Sequence, residues 1–95
     1  MNKRSLRLRE DFFDQDKIRD VRAEEDGAEI LCAYLALRLA ADDNGYIADE
    51  NVAFIASNLE YTEDELRGLI DRIIEVDLGM TGMSGFWLTS PEDFE

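Results

Sequence analysis

Apolar residues recur through the middle of this chain at helical spacing, and the interruptions between them fall on turn-forming residues. The longest run is 30-ILCAYLAL-37, continued after Arg38 by Leu39, Ala40 and Ala41. A helix apolar nearly all round is enclosed by other elements or by a partner chain, so this run predicts a central core helix. It is expected to start near Asp26, with Glu29 three residues on as a variant capping box. Asn44-Gly45 ends it, because both residues tolerate left-handed backbone, and Tyr46-Ile47 follows as a very short strand. Val52, Ile55, Ala56 and Leu59 then mark one buried face of a third helix, from about Asp49 to Asn58. A tight turn, 60-EYT-62, leads to Thr62 and Glu65, a capping box that opens a fourth helix. That helix buries Leu66, Leu69, Ile70, Ile73 and Ile74 and stops near Leu78-Gly79.

The two ends of the chain carry strand-like patterns. Residues 5-SLRLR-9 alternate polar and apolar, which suits a short strand or extended arm. Behind them, Asp14 is placed to cap a short helix carrying Ile18 and Val21, with Phe12 or Phe13 as a hydrophobic staple. A loop, 23-AEEDG-27, separates it from the core helix. At the other end, 80-MTGMSGFWLTS-90 predicts a hairpin turning around Gly82–Gly85, with Phe86 and Leu88 on one face and Trp87 on the other. The chain thus divides into a basic arm or strand (1–9), one folded domain (10–90) and an acidic tail (91–95) that is expected to fray. Helix, tight turn, helix and hairpin is the order of a winged helix-turn-helix, a mainly α fold with a small β-hairpin. Strands at 5–9 and 46–47 would extend its wing sheet.

These segments also resemble a known family. The string 6-LRLREDFF-13, the basic isoleucine-containing helix after it, the apolar helix ending in 44-NGYI-47 and the helical pair ending in 78-LG-79 resemble the N-terminal domain of phage replisome organisers. That domain is similar in turn to the N-terminal winged helix of the bacterial primosomal protein DnaD. The resemblance covers about residues 5–90. It implies a winged helix acting in the initiation of phage DNA replication, by self-association or by contact with a helicase loader, and it brings no catalytic residues. The family often places a large aromatic in its opening strand, where this chain has Leu6 or Arg7.

Charge changes what such a fold is expected to do. The net charge is −13, and it is unevenly spread. The first 22 residues hold seven of the ten basic side chains and five acids, a net of +2, so residues 23–95 carry −15. A DNA-reading helix needs Arg, Lys, Asn or Gln on its outer face. The fourth helix instead turns Glu63, Asp64, Arg67, Asp71 and Glu75 outward, and no Lys or Arg follows Arg72 into the wing. Such a surface repels phosphate, so DNA contact is expected to be weak at most. The acidic face is then either a solvated surface or a site for a partner. The candidate nucleic-acid arm is Lys3, Arg4, Arg7 and Arg9, although the acids Glu10, Asp11, Asp14 and Asp16 follow it closely. On the wing, Met80, Met83 and Trp87 are of the types that anchor protein interfaces.

The inventory of reactive groups excludes most enzymes. There is no histidine, which removes the usual acid–base and triad chemistry, and one cysteine supports no structural zinc site. Cys32, amid apolar neighbours in the core helix, is expected to be a buried small hydrophobe. The stretch 40-AADDNGYIADEN-51 has the look of a calcium loop with Gly45 at its sixth place. Ala40 would then occupy the first position and Asn51 the twelfth, where an acid and a bidentate glutamate are required. No metal or other cofactor is expected. With no signal peptide and a lone cysteine, the expected setting is the cytoplasm, that of the host cell for a phage protein. The longest apolar run spans roughly 18 Å as a helix, too short for a bilayer. The expected partner is a protein, either a second copy forming a homodimer or a replication or host protein. The alternative function is an acidic inhibitor that mimics DNA against a host nucleic-acid-binding enzyme.

Overall fold

The structure, a computed structural model, describes residues 12–42 and 44–89. The 5–9 strand, the four basic arm residues and the acidic tail lie outside the described residues. Within them the order is a 3-10 turn at Phe12–Asp14, α1 (Asp16–Arg22), α2 (Gly27–Ala40), β1 (Tyr46–Ala48), a second 3-10 turn at Asp49–Asn51, α3 (Val52–Asn58), α4 (Glu63–Glu75), β2 (Gly79–Thr81) and β3 (Gly85–Leu88). The strands form one antiparallel sheet in the order β1-β3-β2. This is the winged-helix arrangement expected from the sequence, with β1 extending the wing hairpin.

Helix α2 lies at the centre and packs against α1 and α4, while α4 also touches α3 and β2. Ile30, Tyr34 and Leu37 of α2 are fully buried and meet Ile18, Val52, Leu66, Ile73 and Leu78 in one core. The Tyr34 hydroxyl donates to the Thr89 carbonyl, tying the central helix to the end of β3. Phe12 enters the core, whereas Phe13 stacks edge-on against it and stays exposed. The expected Asp14 cap is not made: Gln15 holds the N-cap position of α1, and no side chain caps it, because Asp14 is taken into the preceding 3-10 turn.

The junction after α2 depends on one side chain and one glycine. The Asp42 carboxylate accepts from the Asn44 and Tyr46 backbone N–H groups at 2.9 and 3.0 Å, closing an Asx turn. Gly45 sits at φ 81°, and a Cβ there would stand 2.6 Å from the Leu88 carbonyl oxygen. Its own carbonyl accepts from Leu88 N–H at 2.8 Å, which delivers β1 to β3. Helix α2 itself ends earlier than expected, at Ala40, because Ala41 is already extended.

Two further expectations need correction. Asp26 makes no side-chain cap for α2. Both of its carboxylate oxygens instead accept from Arg72, at 2.9 and 3.0 Å, since a bidentate charge-assisted pair outcompetes a neutral backbone donor. Cys32 is exposed, not buried. Helix α2 is covered from the side of α1 and α4, and Cys32 falls on the solvent side with Ala28, Leu39 and Ala40. The capping box at Thr62 and Glu65 is present, with reciprocal bonds of 3.1 and 2.9 Å.

Helices α3 and α4 end in the same way. Glu60 and Asp77 both sit at φ 63° in Schellman closures, with Tyr61 N–H reaching the Ala56 carbonyl and Leu78 N–H the Ile73 carbonyl. Left-handed backbone is costly for a residue with a Cβ and free for glycine. Replacing Glu60 by glycine is therefore expected to stabilise the fold by about 0.5–1 kcal/mol, read as a higher urea midpoint at unchanged slope. A lower midpoint would show that the Glu60 side chain contributes more than its backbone costs.

Candidate functional site

Helix α4 would be the reading helix of a DNA-binding winged helix. Its capping box fixes its start, and its apolar stripe turns Leu66, Leu69, Ile70 and Ile73 into the core. Glu63, Asp64, Asp71 and Glu75 are exposed, and Arg67 is partly so. Both arginines are engaged within the fold. Arg67 pairs with Glu63 at 2.8 Å and with Asp49 at 3.8 Å, and donates to the Asp49 carbonyl at 3.4 Å. Arg72 holds Glu24, Asp26 and Glu75 at 2.9, 2.9 and 3.0 Å. To contact a phosphate, either guanidinium would have to leave carboxylates already in place.

The Arg72 clasp joins α4 to the loop before α2 and leaves its mark on ionisation. The Arg72 hydrogen bond holds the Asp26 carboxyl below the usual range, and the Asp26 bond raises Arg72 in turn. The Thr62 backbone and hydroxyl likewise lower Glu65. A depressed carboxylate contributes stability above its unfolded pKa and loses it as pH falls through the folded value. Asp26→Asn is thus expected to lower the melting temperature at neutral pH. The gap to the unsubstituted protein should close as the pH falls below the ordinary aspartate value of 3.8. A gap that stays constant from neutral pH to pH ~2 would rule out the ionic clasp as its cause.

The wing presents a different chemistry. Register places Tyr46 opposite Trp87, and Trp87 opposite Met80, so the three form one row on the outer face of the sheet. The Tyr46 and Trp87 rings lie 4.7 Å apart between centroids, inclined by 53°. Phe86 and Leu88 face the core, as the alternation expects, while Trp87 is 40% exposed and Met80 64%. Met83 stands fully open in the turn between β2 and β3. The sheet therefore offers an aromatic–thioether patch on rigid strands, with no cation on the wing itself.

The structure gathers Met80 and Trp87 into one patch with Met83 at its tip, and it ties Glu63 to Arg67 and Glu75 to Arg72. Asp64 and Asp71 remain on the outer side of α4. Tyr46, expected as a wing strand residue, was missed as a member of the Trp87 patch. Its strand was visible in the sequence, but only the β1–β3 register puts its ring beside Trp87. Phe13, Leu39 and Phe54 were also missed as exposed apolar groups, at 48, 40 and 69%. Among the described residues, no group of acids or Cys32 is arranged to hold a metal ion, and no helix is long and apolar enough to cross a membrane.

No curated protein and no solved structure matches the chain. The model of the N-terminal phage replisome organiser family matches residues 5–92, nearly the whole sequence. The chain therefore belongs to the N-terminal phage replisome organiser family, which places it among the proteins of phage DNA replication.

Proposed function

We propose that this domain is a non-enzymatic docking module in the initiation of phage DNA replication. It offers the outer face of its wing sheet to a replication protein, the helicase or its loader, in the host cytoplasm. The observation that carries this reading is the exposed Trp87–Met80 pair, with the half-buried Tyr46 beside it, and an α4 whose arginines are both engaged by carboxylates. An aromatic anchor flanked by methionine is the composition of a protein interface core. A carboxylate-paired helix is the opposite of a groove reader. The family membership supplies the process, and the wing supplies the means. DNA contact, where it occurs, falls to the basic arm Lys3, Arg4, Arg7 and Arg9, and such backbone contact is weak and strongly salt-dependent.

The test is capture of purified phage and host replication proteins by the immobilised full chain, alongside duplex and single-stranded DNA at low salt. Capture of a helicase or loader that survives moderate salt supports the proposal. Tight duplex binding without protein capture contradicts it. Capture of a host nuclease or polymerase, lost as salt rises, would favour an acidic inhibitor acting through Glu63, Asp64, Asp71 and Glu75.

A further inference from the structure

Arg38 stands apart from the other cations of the acidic body. Residues 23–95 hold three, Arg38, Arg67 and Arg72. Carboxylates engage Arg67 and Arg72. Arg38, half-buried near the end of α2, meets no carboxylate among the described residues. One terminal nitrogen donates to the Leu88 carbonyl at 3.3 Å, and the buried Nε has no acceptor. Asp42, one turn on, gives its carboxylate to the Asn44 and Tyr46 N–H groups instead. Gly45 makes the room, since a Cβ there would collide with the same terminal nitrogen of Arg38. The guanidinium is therefore built into the junction between α2 and the sheet, and it is short of acceptors.

Two contacts set where the chain passes this site. The Tyr34 hydroxyl donates to the Thr89 carbonyl, and Arg38, one turn further along α2, donates to the Leu88 carbonyl. Residues four apart lie one above the other on a helix face, so the end of β3 and Thr89 run beside Arg38. The next acid in the sequence is Glu92, three residues beyond Thr89. An extended chain covers that interval in at most about 11 Å. Asp93 and Glu95 follow, and residues 90–95 contain no base.

We infer that Arg38 is a carboxylate-binding site and that its occupant is the chain's own acidic segment, 92-EDFE-95. A half-buried guanidinium short of acceptors gains most from a charged one, and a carboxylate is the strongest that a protein supplies. The tether selects this source. Three carboxylates held so close reach the guanidinium at an effective concentration of about millimolar or more, without a second binding event. Charge excludes a second copy, whose tail would bring one body of −13 against another. The contact fastens the end of β3 to α2 at Leu88, next to Trp87, and so holds the strand that carries the outer face of the wing. The inference does not rest on the wing docking proposed above.

Nuclear magnetic resonance of the full chain at low salt tests it. The backbone order parameters of Glu92 and Asp93 are expected above ~0.6, the limit for a flexible segment, and below it in Arg38→Gln. Salt at ~1 M should have the same effect, because it screens charges only a few ångströms apart. Joint replacement of Glu92→Gln, Asp93→Asn and Glu95→Gln should move the Arg38 Nε–Hε resonance and leave the core amides in place. Those three positions lie beyond the core, so this second arm holds even where Arg38→Gln disturbs the junction. Both effects should be independent of protein concentration. Three results would each overturn the inference: flexible-limit order parameters in the unsubstituted chain, an Arg38 resonance indifferent to the tail carboxylates, and a shift that grows with concentration, which would assign the carboxylates to another copy.

Discussion

Truncating Trp87 to alanine is expected to weaken binding of the replication partner by at least ~30-fold while the domain stays folded. The indole is the largest group on the outer sheet face; its ring packs against Tyr46 of β1, and Met80 of β2 is its cross-strand neighbour. An anchor held in place before binding loses little entropy on docking, so its removal falls mainly on affinity. The effect on stability should be small, about 1 kcal/mol from lost cross-strand contact, because Trp87 is 40% exposed and Phe86 and Leu88 carry the core side of the strand. Met83→Ala, at the open turn, should cost less than Trp87→Ala. Isothermal titration with the captured partner separates the two substitutions. Equal affinity for Trp87→Ala and the unsubstituted chain would remove the sheet face from the docking account.

Ile73→Ala should cost about 3 kcal/mol of stability, and Ile74→Ala about 1 kcal/mol or less. The two are neighbours on α4 with the same side chain. Ile73 is fully buried against the core, whereas Ile74 only borders it. The cavity left at Ile73 lies under the Schellman closure that positions β2, because Leu78 N–H bonds to its carbonyl at 2.9 Å. A domain of this length holds about 5–14 kcal/mol in total, so the loss is a large fraction of the margin. Urea unfolding of the two variants checks the contrast, and similar midpoints would mean that α4 is seated differently on the core.

The helical periods and turn residues carried most of the fold. The i, i+3, i+4 apolar faces of α3 and α4, the Thr62–Glu65 capping box and the Asn44-Gly45 reversal are all local patterns, and each one appears where its pattern puts it. Long-range competition was not legible. Asp26 reads as a cap until Arg72, 46 residues away, takes both its oxygens. Cys32 reads as buried because α2 is apolar all round, and only the packing of α1 and α4 decides which side stays open. The same limit applies to the candidate surfaces. Alternation along β3 singles out Trp87, but Tyr46 joins it only through sheet register. The apolar run of α2 left open whether other elements or a partner would enclose it, and only the packing shows that Ala28, Cys32, Leu39 and Ala40 stay exposed. Charge, by contrast, is a property of composition, and the pairing of Arg67 and Arg72 with carboxylates strengthens the sequence-level argument against groove reading.

Trp87 is the only tryptophan in the chain, so its emission reports directly on the wing face. The most direct measurement is a fluorescence titration of the full chain with the replicative helicase, with its loader and with duplex DNA at low salt. A blue shift and altered intensity are expected on adding a replication protein, as Trp87 leaves water, and no shift on adding duplex. Emission that responds to duplex DNA and ignores the replication proteins would contradict docking through the wing.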